Sequence, residues 1–435
     1  MGSPEMFRRA RETGAELEER QAERIVVTGM GTVNPLGLNV ADFWKNLIDG
    51  KSGLSNIELP HTNVKVAGVI NEFKPEVSLS GLVSLKNLKK LSRPVQFAVA
   101  AAFEALLDAG LLDEQREILD IIDRERCGTS IGTGIGGVVD IIGSSEKLEE
   151  EGRVHPSNLL RSELERVASV VSMIFGLKGP LQAPTAACAT GNIVAANGFN
   201  EIRLGNADVM VVGGSEACLH SVTLSLFESV KALSLETDYR KASRPFDKAR
   251  SGFVMSEGAG IYVLESLEHA KKRNARIYAE LVGYGNTADA FHDTTPSEEG
   301  QRRAIRLAMR KVKKLNGQRI YVNAHGTGTK PGDPIEISAI RRELPDRMID
   351  VSSSKSGIGH TVGAAGAIES IVCIKALNEG VLPPTINLND PIDEAEGINL
   401  IPNEAQSADG VEVAVNDSFG FGGINSVLVF KRLGE

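Results

Sequence analysis

One of the four cysteines stands where a thiol can serve as a nucleophile. Cys188 lies in GPLQAPTAACATGN, residues 179–192, where an apolar, strand-like run gives way to Ala186, Ala187, Ala189 and Gly191. These residues open a helix of low side-chain bulk that continues through Ala195 and Ala196. A thiol at a helix N-terminus feels the positive end of the dipole, which is expected to lower its pKa, and small neighbours let a substrate approach. Cys127, inside a strand, and Cys373, inside an apolar helix, read instead as buried structural thiols.

A nucleophilic thiol needs proton management, and two of the seven histidines are suitably placed. His325 follows the strand YVNA and opens NAHGTGTKPGD, while His360 lies in SSSKSGIGHTVGAAGA, after the strand IDVSSS and before an apolar helix. Both stand at carboxyl ends of strands, where ligands bind α/β sheets. The other five histidines, on polar loops or helix faces, read as solvated. Glu369 falls within the apolar helix AAGAIESIVCIKALN, and a buried carboxylate needs a partner; Lys355, in the preceding loop, is the nearest cation. In NDSFGFGGINSVLVF, Gly420, Gly422 and Gly423 flank Phe421, leaving backbone N–H groups available to an oxyanion. The GxGxxG of Gly132 to Gly137, with Glu151 further on, imitates a dinucleotide fingerprint, yet VVDIIGSSEKLEE after it lacks a βαβ continuation. No GxxxxGK[ST] occurs.

Elements to position these residues alternate along the chain. Short apolar runs and helical stretches succeed one another, which predicts an α/β fold with a mostly parallel sheet covered by helices. Strands are expected over Arg24–Thr28, Cys127–Gly132, Ala207–Gly214 and Gly260–Glu265, with helices over Val40–Asp49 and over Leu91–Ala109, the latter capped by Ser92 with Pro94 in its first turn. After the polar KKRNAR a second series begins: strands Ile277–Tyr284, Ile320–Ala324 and Met348–Ser352, helices Gln301–Leu315, Asp333–Leu344 and Ala364–Asn378, and closing strands around Val411–Val415 and Ser426–Phe430. The division is therefore 24–271 and 272–435, two similar α/β halves packed in layers with helices. Residues 1–23 read as a tag or flexible extension, too charged for a signal peptide.

At 435 residues the chain can bury a large core. Its 48 basic and 57 acidic residues leave a formal net charge of −9, which argues against a general nucleic-acid binder. Four cysteines without CxxC or a Cys/His cluster make neither a disulfide framework nor a zinc site. No apolar run approaches a membrane span, and a cytoplasmic location is expected.

Taken together these motifs resemble the condensing enzymes of the thiolase superfamily, and most closely a β-ketoacyl-[acyl carrier protein] synthase of the elongating type II kind. GPLQAPTAACATG, RPFDKARSGFVMSEGAG, NAHGTGTKPGDPIE, KSGIGHTVGAAGAIES and NDSFGFGGIN fall in family order between about Arg24 and Leu433. The resemblance implies that Cys188 accepts the acyl group, that His325 and His360 promote decarboxylation of a malonyl donor, and that Lys355 and Glu369 support them. It implies an oxyanion hole at the N–H groups of Cys188 and Phe421, with Phe421 as a gate. It further implies pantetheine contacts at Thr327 and Thr329, acyl-pocket positions at Ile135 and Phe227, and a homodimer.

Lys86, Lys89, Lys90 and Arg93 crowd SLKNLKKLSRP despite the negative chain, and the resemblance adds Arg153 and Lys231 to form a basic patch for acidic acyl carrier protein. No metal or organic cofactor is required by this chemistry. Ala186 and Ala189 depart from the Thr and Ser/Thr of many members, while HGTGT and KSGIGHT lean towards polyketide and multifunctional synthases, so a ketosynthase of a specialised acyl pathway is the alternative. A degradative thiolase would carry a second cysteine in GFGGIN, and a non-catalytic chain-length partner would lack Cys188.

Overall fold

The computed structural model describes residues 23–113, 115–312, 319–345 and 347–433, so the extension expected over 1–23 lies, but for its last residue, outside the described residues. Ten strands form one sheet: β1 Ile25–Val33, β2 Cys127–Gly132, β3 Leu181–Gln182, β4 Val209–Glu216, β5 Gly258–Ser266, β6 Ala279–Ala288, β7 Arg319–Asn323, β8 Met348–Ser352, β9 Val411–Gly420 and β10 Ile424–Lys431. Their spatial order is β8-β7-β9-β10-β6-β1-β5-β4-β2-β3. Strands β1 to β5 thus repeat, five strands later, as β6 to β10 in the same relative order, and the two series meet where β1 pairs with β6 at Val26↔Glu280 and Val27↔Ala279.

The sheet is mixed, where a mostly parallel one was expected. β2 runs parallel to β3 and β4, and β7 parallel to β8 and β9. The pairings β1·β5, β5·β4, β1·β6, β6·β10 and β10·β9 are antiparallel. Every residue of β1, β2, β4 and β5 is buried, and a strand covered on both faces reads as a continuous apolar run whichever way it points.

Helices fill three layers. Arg93–Asp108 and Arg166–Phe175 cover the outer face of the first strand series, and Glu298–Ala308 with Gly332–Glu343 cover the outer face of the second. Between the two lie Thr190–Arg203 and Ala365–Glu379, packed in one central core with Met210, Val212, Tyr262, Leu428 and Phe430 of the sheet. The apolar side chains of Arg93–Asp108 are consumed inside the chain: Val95, Phe97, Val99 and Leu106 are buried against β1, β4 and β5. Ser92 takes the cap position without a side-chain cap bond, and Pro94 does occupy the first turn. The helix expected from Gln301 to Leu315 ends at Ala308, one 3₁₀ turn follows over Met309–Lys311, and residues 313–315 lie outside the described residues.

β1 runs on through GMGTV, which reads as a turn in the sequence. Its glycines serve close approach: a Cβ on Gly29 would stand 2.2 Å from the Ala105 carbonyl oxygen, and one on Gly31 2.0 Å from that of Ala101. The helix backbone therefore lies directly on the strand.

Candidate active site

Cys188 occupies a single 3₁₀ turn, Ala187–Ala189, that leads into Thr190–Arg203. The residue before it, Ala187, is held at φ +46, an uncommon left-handed conformation for a residue with a side chain. Thr190 fastens the turn, since its hydroxyl accepts from the Ala186 N–H at 2.8 Å and donates to the Ala187 carbonyl at 2.7 Å. The strand before the turn is short, Leu181–Gln182 only.

The structure brings both singled-out histidines to this thiol. His360 Nε2 lies 3.0 Å from Cys188 Sγ, and the His325 ring stands edge-on to that of His360 with centroids 5.4 Å apart. His325 follows β7, and its N–H donates to Glu336 Oε1 at 2.6 Å while that of Gly326 donates to Oε2 at 2.8 Å. His360 is pinned on both sides, its N–H to the Val254 carbonyl at 2.7 Å and its own carbonyl accepting from Ser256 at 3.0 Å. Lys355 Nζ pairs with Glu369 Oε1, both buried. A cleft of about 250 Å³ opens here, lined by Cys188, His325, His360, Thr327, Thr329 and Phe421 among others.

The glycine loop closes over the nucleophile. A Cβ on Gly420 would lie 3.1 Å from the Ala186 carbonyl oxygen and 3.3 Å from the Cys188 nitrogen. The backbone N–H groups of Phe421 and Cys188 both act on the thiol and favour its ionised form. Phe421 stacks on Phe227 at 6.4 Å, Phe227 meets Phe253 edge-on at 5.9 Å, and Phe253 meets His360 at 5.0 Å. Ile135 packs in the same apolar cluster, with Cys218, Leu233, Met255 and Val362 at its centre.

Electrostatically the site is close to neutral. Burial, and then the Lys355 charge, hold His360 well below the usual histidine range; His325 is lowered by the same two causes and by His360. Burial pushes the Cys188 thiol up to about 12, with Lys355 and the Phe421 N–H opposing it. This reverses the expectation that the helix dipole leaves a low pKa: the thiol is deep enough for desolvation to exceed the dipole. Burial likewise pushes Glu369 up to about 7 against the pull of Lys355.

The remaining expected residues are dispersed. Lys231 lines the cleft, whereas Lys86, Lys89 and Lys90 are exposed on and just after the short helix Leu85–Leu88, outside its lining. Arg153 is exposed beside Glu151. Arg93 is engaged elsewhere: its guanidinium pairs with buried Glu257 at 2.6 Å and donates to the Ile70 carbonyl at 2.7 Å. His292, read as solvated, lines the cleft, its Nδ1 accepting from the Thr294 and Thr295 N–H groups at 3.1 Å. His269 contacts buried Glu265 at 2.7 Å, and His220 caps the helix Ser221–Ser229. In the GxGxxG loop the N–H groups of Gly134 and Ile135 are taken by Glu216 and that of Gly136 by the Thr133 hydroxyl, so these three are not offered to a pyrophosphate.

Sequence reasoning missed the carboxylates that hold the loops. Glu336 fixes the His325 backbone, and Asp333 accepts from Phe246 and Gly328 N–H at 2.7 and 3.0 Å while facing Arg250 at 3.5 Å. Both lie in HGTGTKPGDPIE, which begins at His325, and acidic residues in the first turns of the helix that follows were the signal.

A thiol, two uncharged imidazoles and two backbone N–H groups converging on one cleft define an acyltransferase site of the condensing class. Residues 22–270 match the family model for the beta-ketoacyl synthase N-terminal domain and residues 278–389 that for its C-terminal domain. The chain is 41% identical over 423 residues to the 3-oxoacyl-[acyl-carrier-protein] synthase 2 of Vibrio harveyi, covering 95% of this chain and 99% of that one. It superposes on a beta-ketoacyl synthase from Burkholderia phymatum with TM-score 0.85 and 31% identity, over 95% of this chain and 100% of the other. A type II polyketide ketosynthase, solved in complex with its acyl-carrier protein and bound to the hexaketide, matches at TM-score 0.84 and 31% identity with the same coverage. The chain belongs to the beta-ketoacyl synthase family and has its thiolase-like α/β fold. No described helix is long and apolar enough to cross a membrane.

Proposed function

We propose that this enzyme elongates acyl chains in fatty acid synthesis, condensing malonyl-[acyl carrier protein] with an acyl group held on Cys188. The observation that carries the reading is the approach of His360 Nε2 to Cys188 Sγ at 3.0 Å beneath the N–H groups of Cys188 and Phe421. The Cys188 sulfur attacks the carbonyl carbon of an acyl carrier thioester, its proton passes to His360 Nε2, and the departing carrier thiolate takes that proton. The malonyl carrier then loses CO₂, leaving an enolate whose oxygen receives N–H donation from His325 and His360. Attack of its carbon on the Cys188 thioester forms the new C–C bond, breaks the C–S bond and releases the Cys188 thiolate, which takes up the one proton the turnover consumes from solvent. The tetrahedral oxyanion lies at the N–H groups of Cys188 and Phe421. Lys355 and Glu369 position the histidines, Thr327 and Thr329 the pantetheine arm, and Ile135 and Phe227 bound the acyl chain.

Lys231 at the cleft, with Lys86, Lys89, Lys90 and Arg153 further out, forms the surface offered to the carrier. A homodimer is supported by the apolar face of Val138–Glu151 and Ser157–Ser162, where Ile141, Leu148 and Leu159 are more than half exposed. Four cysteines, all free and buried, suit a reducing cytoplasm. A second reading, a ketosynthase of a polyketide pathway, draws on the likeness to the hexaketide-bound enzyme. Intact-mass measurement after incubation with acyl carrier proteins of graded chain length decides between them. Fatty acyl adducts on Cys188 support elongation, acetyl adducts alone favour the second reading, and no adduct refutes both.

A further inference from the structure

Glu216 ends β4 with its side chain fully buried, and the reaction as described does not use it. Among the described residues no cation pairs with it; donors from two loops hold it instead. Oε2 accepts from the N–H groups of Gly134 at 2.7 Å, Ile135 at 3.3 Å and Gly363 at 3.1 Å, and Oε1 accepts from the Thr133 hydroxyl at 3.0 Å. One oxygen therefore joins the loop that carries Ile135 to the loop that follows His360. The loops meet without spare room. A Cβ on Gly363 would stand 2.2 Å from the Gly134 nitrogen, and one on Gly134 would meet Glu216 Oε2 and Val362 Cγ1, both at 2.8 Å. Val362, β-branched, is held at φ +44 between them and packs in the apolar cluster of Ile135 and Phe421. Thr133 also binds the nucleophile segment, its carbonyl accepting from the Thr185 hydroxyl at 2.7 Å.

We propose that Glu216 is the positioning residue that sets acyl-chain length, a role that rests on the reading of Ile135 as an acyl-pocket residue. A chain too short to reach Ile135 leaves the loop in place. A longer chain has to displace Ile135, and Glu216 cannot follow, because Gly363 anchors the same oxygen and the adjoining His360 is fixed to Val254 and Ser256. Longer chains therefore enter only by breaking a buried hydrogen bond, whereas shorter chains do not.

The test is the rate of acyl loading on Cys188, by intact mass, across carriers of increasing chain length. Glu216→Gln keeps an acceptor for the three N–H groups and turns its amide towards Thr133, so it retains the wild-type length profile. Glu216→Asp, one methylene shorter, loses the shared anchor, and the ratio of long-chain to short-chain loading should rise about tenfold, the scale of one buried hydrogen bond. Thr133→Val removes the Oε1 contact together with the acceptor of the Gly136 N–H in the same loop, keeps the shared Oε2 anchor, and should shift the ratio the same way by less; it decides the matter if the Asp variant does not fold. A uniform fall at all lengths, or unchanged ratios in the folded variants, overturns the proposal. Absence of loading in the wild type would instead overturn the elongation reading itself.

Discussion

Alkylation of Cys188 by iodoacetamide should accelerate about tenfold per pH unit from pH 6 to pH 9, with no plateau. The magnitude follows from burial, which pushes the thiol up to about 12. At pH 8 only about one molecule in 10⁴ then carries the thiolate, against about a quarter for an unperturbed cysteine. His325 and His360, both lowered well below the usual range, stay uncharged across this window and add no inflection of their own. Cys188 should still be labelled first, because it is 8% exposed while Cys127 is 2% and Cys218 and Cys373 are 0%. The assay is peptide mass spectrometry of timed, quenched aliquots at each pH. Replacing the buried pair together, Lys355→Met with Glu369→Gln, removes the largest influence opposing burial without stranding a charge, so it should slow labelling at every pH. A plateau beginning between pH 6 and 8, or earlier labelling of Cys218, would refute the reasoning and restore the dipole-lowered thiolate.

His325→Ala and His360→Ala should each reduce CO₂ release from malonyl carrier protein by about 10²-fold or more, the scale of a lost acid–base or oxyanion group, measured with labelled malonate. Lys231→Glu should raise KM for acyl carrier protein while turnover of small pantetheine thioesters is unchanged, and Lys89→Glu with Lys90→Glu should act less, since Lys231 lines the cleft and Lys89 and Lys90 do not. Equal KM values in all three proteins would return these lysines to ordinary solvation. Asp417→Asn should gain melting temperature over wild type as pH rises from 4 to 9, because burial, and then Glu369, push the carboxyl from 3.8 to about 8. The proton it retains in the fold stabilises fully below 3.8, and that benefit is gone above about 8, so melting curves that keep a constant separation with pH would contradict this.

Where chemistry and local pattern coincide, the sequence was legible. The strands Cys127–Gly132 and Met348–Ser352 were read to the residue; Cys188, His325 and His360, each beside small residues at an element boundary, converge, and Lys355 pairs with Glu369 of the apolar helix. Long-range contacts were not legible. Gly29 and Gly31 look like a turn until the helix backbone resting on them is seen. Strand direction is hidden where both faces are covered, and Glu216 and Glu336 bind backbone N–H groups that no spacing rule connects to them. The thiol pKa failed for the same reason: a helix start is visible in a sequence, whereas depth is not.

Depth also explains why Lys355 is paired and the imidazoles near it are uncharged. Lys355 is paired with Glu369, and burial, then the Lys355 charge, keeps His325 and His360 uncharged. On the proposed reading the donor brings its carboxylate against the buried thiol and buried imidazoles, where a carboxylate is costly and CO₂ is not. Decarboxylation moves that charge onto an enolate oxygen facing two N–H donors, and carbon–carbon bond formation then moves it to the N–H groups of Cys188 and Phe421. A charged imidazole would stabilise the malonyl carboxylate before reaction as well as the enolate after it, raising affinity without raising the rate. Neutral donors, aimed where charge develops, favour the later state alone.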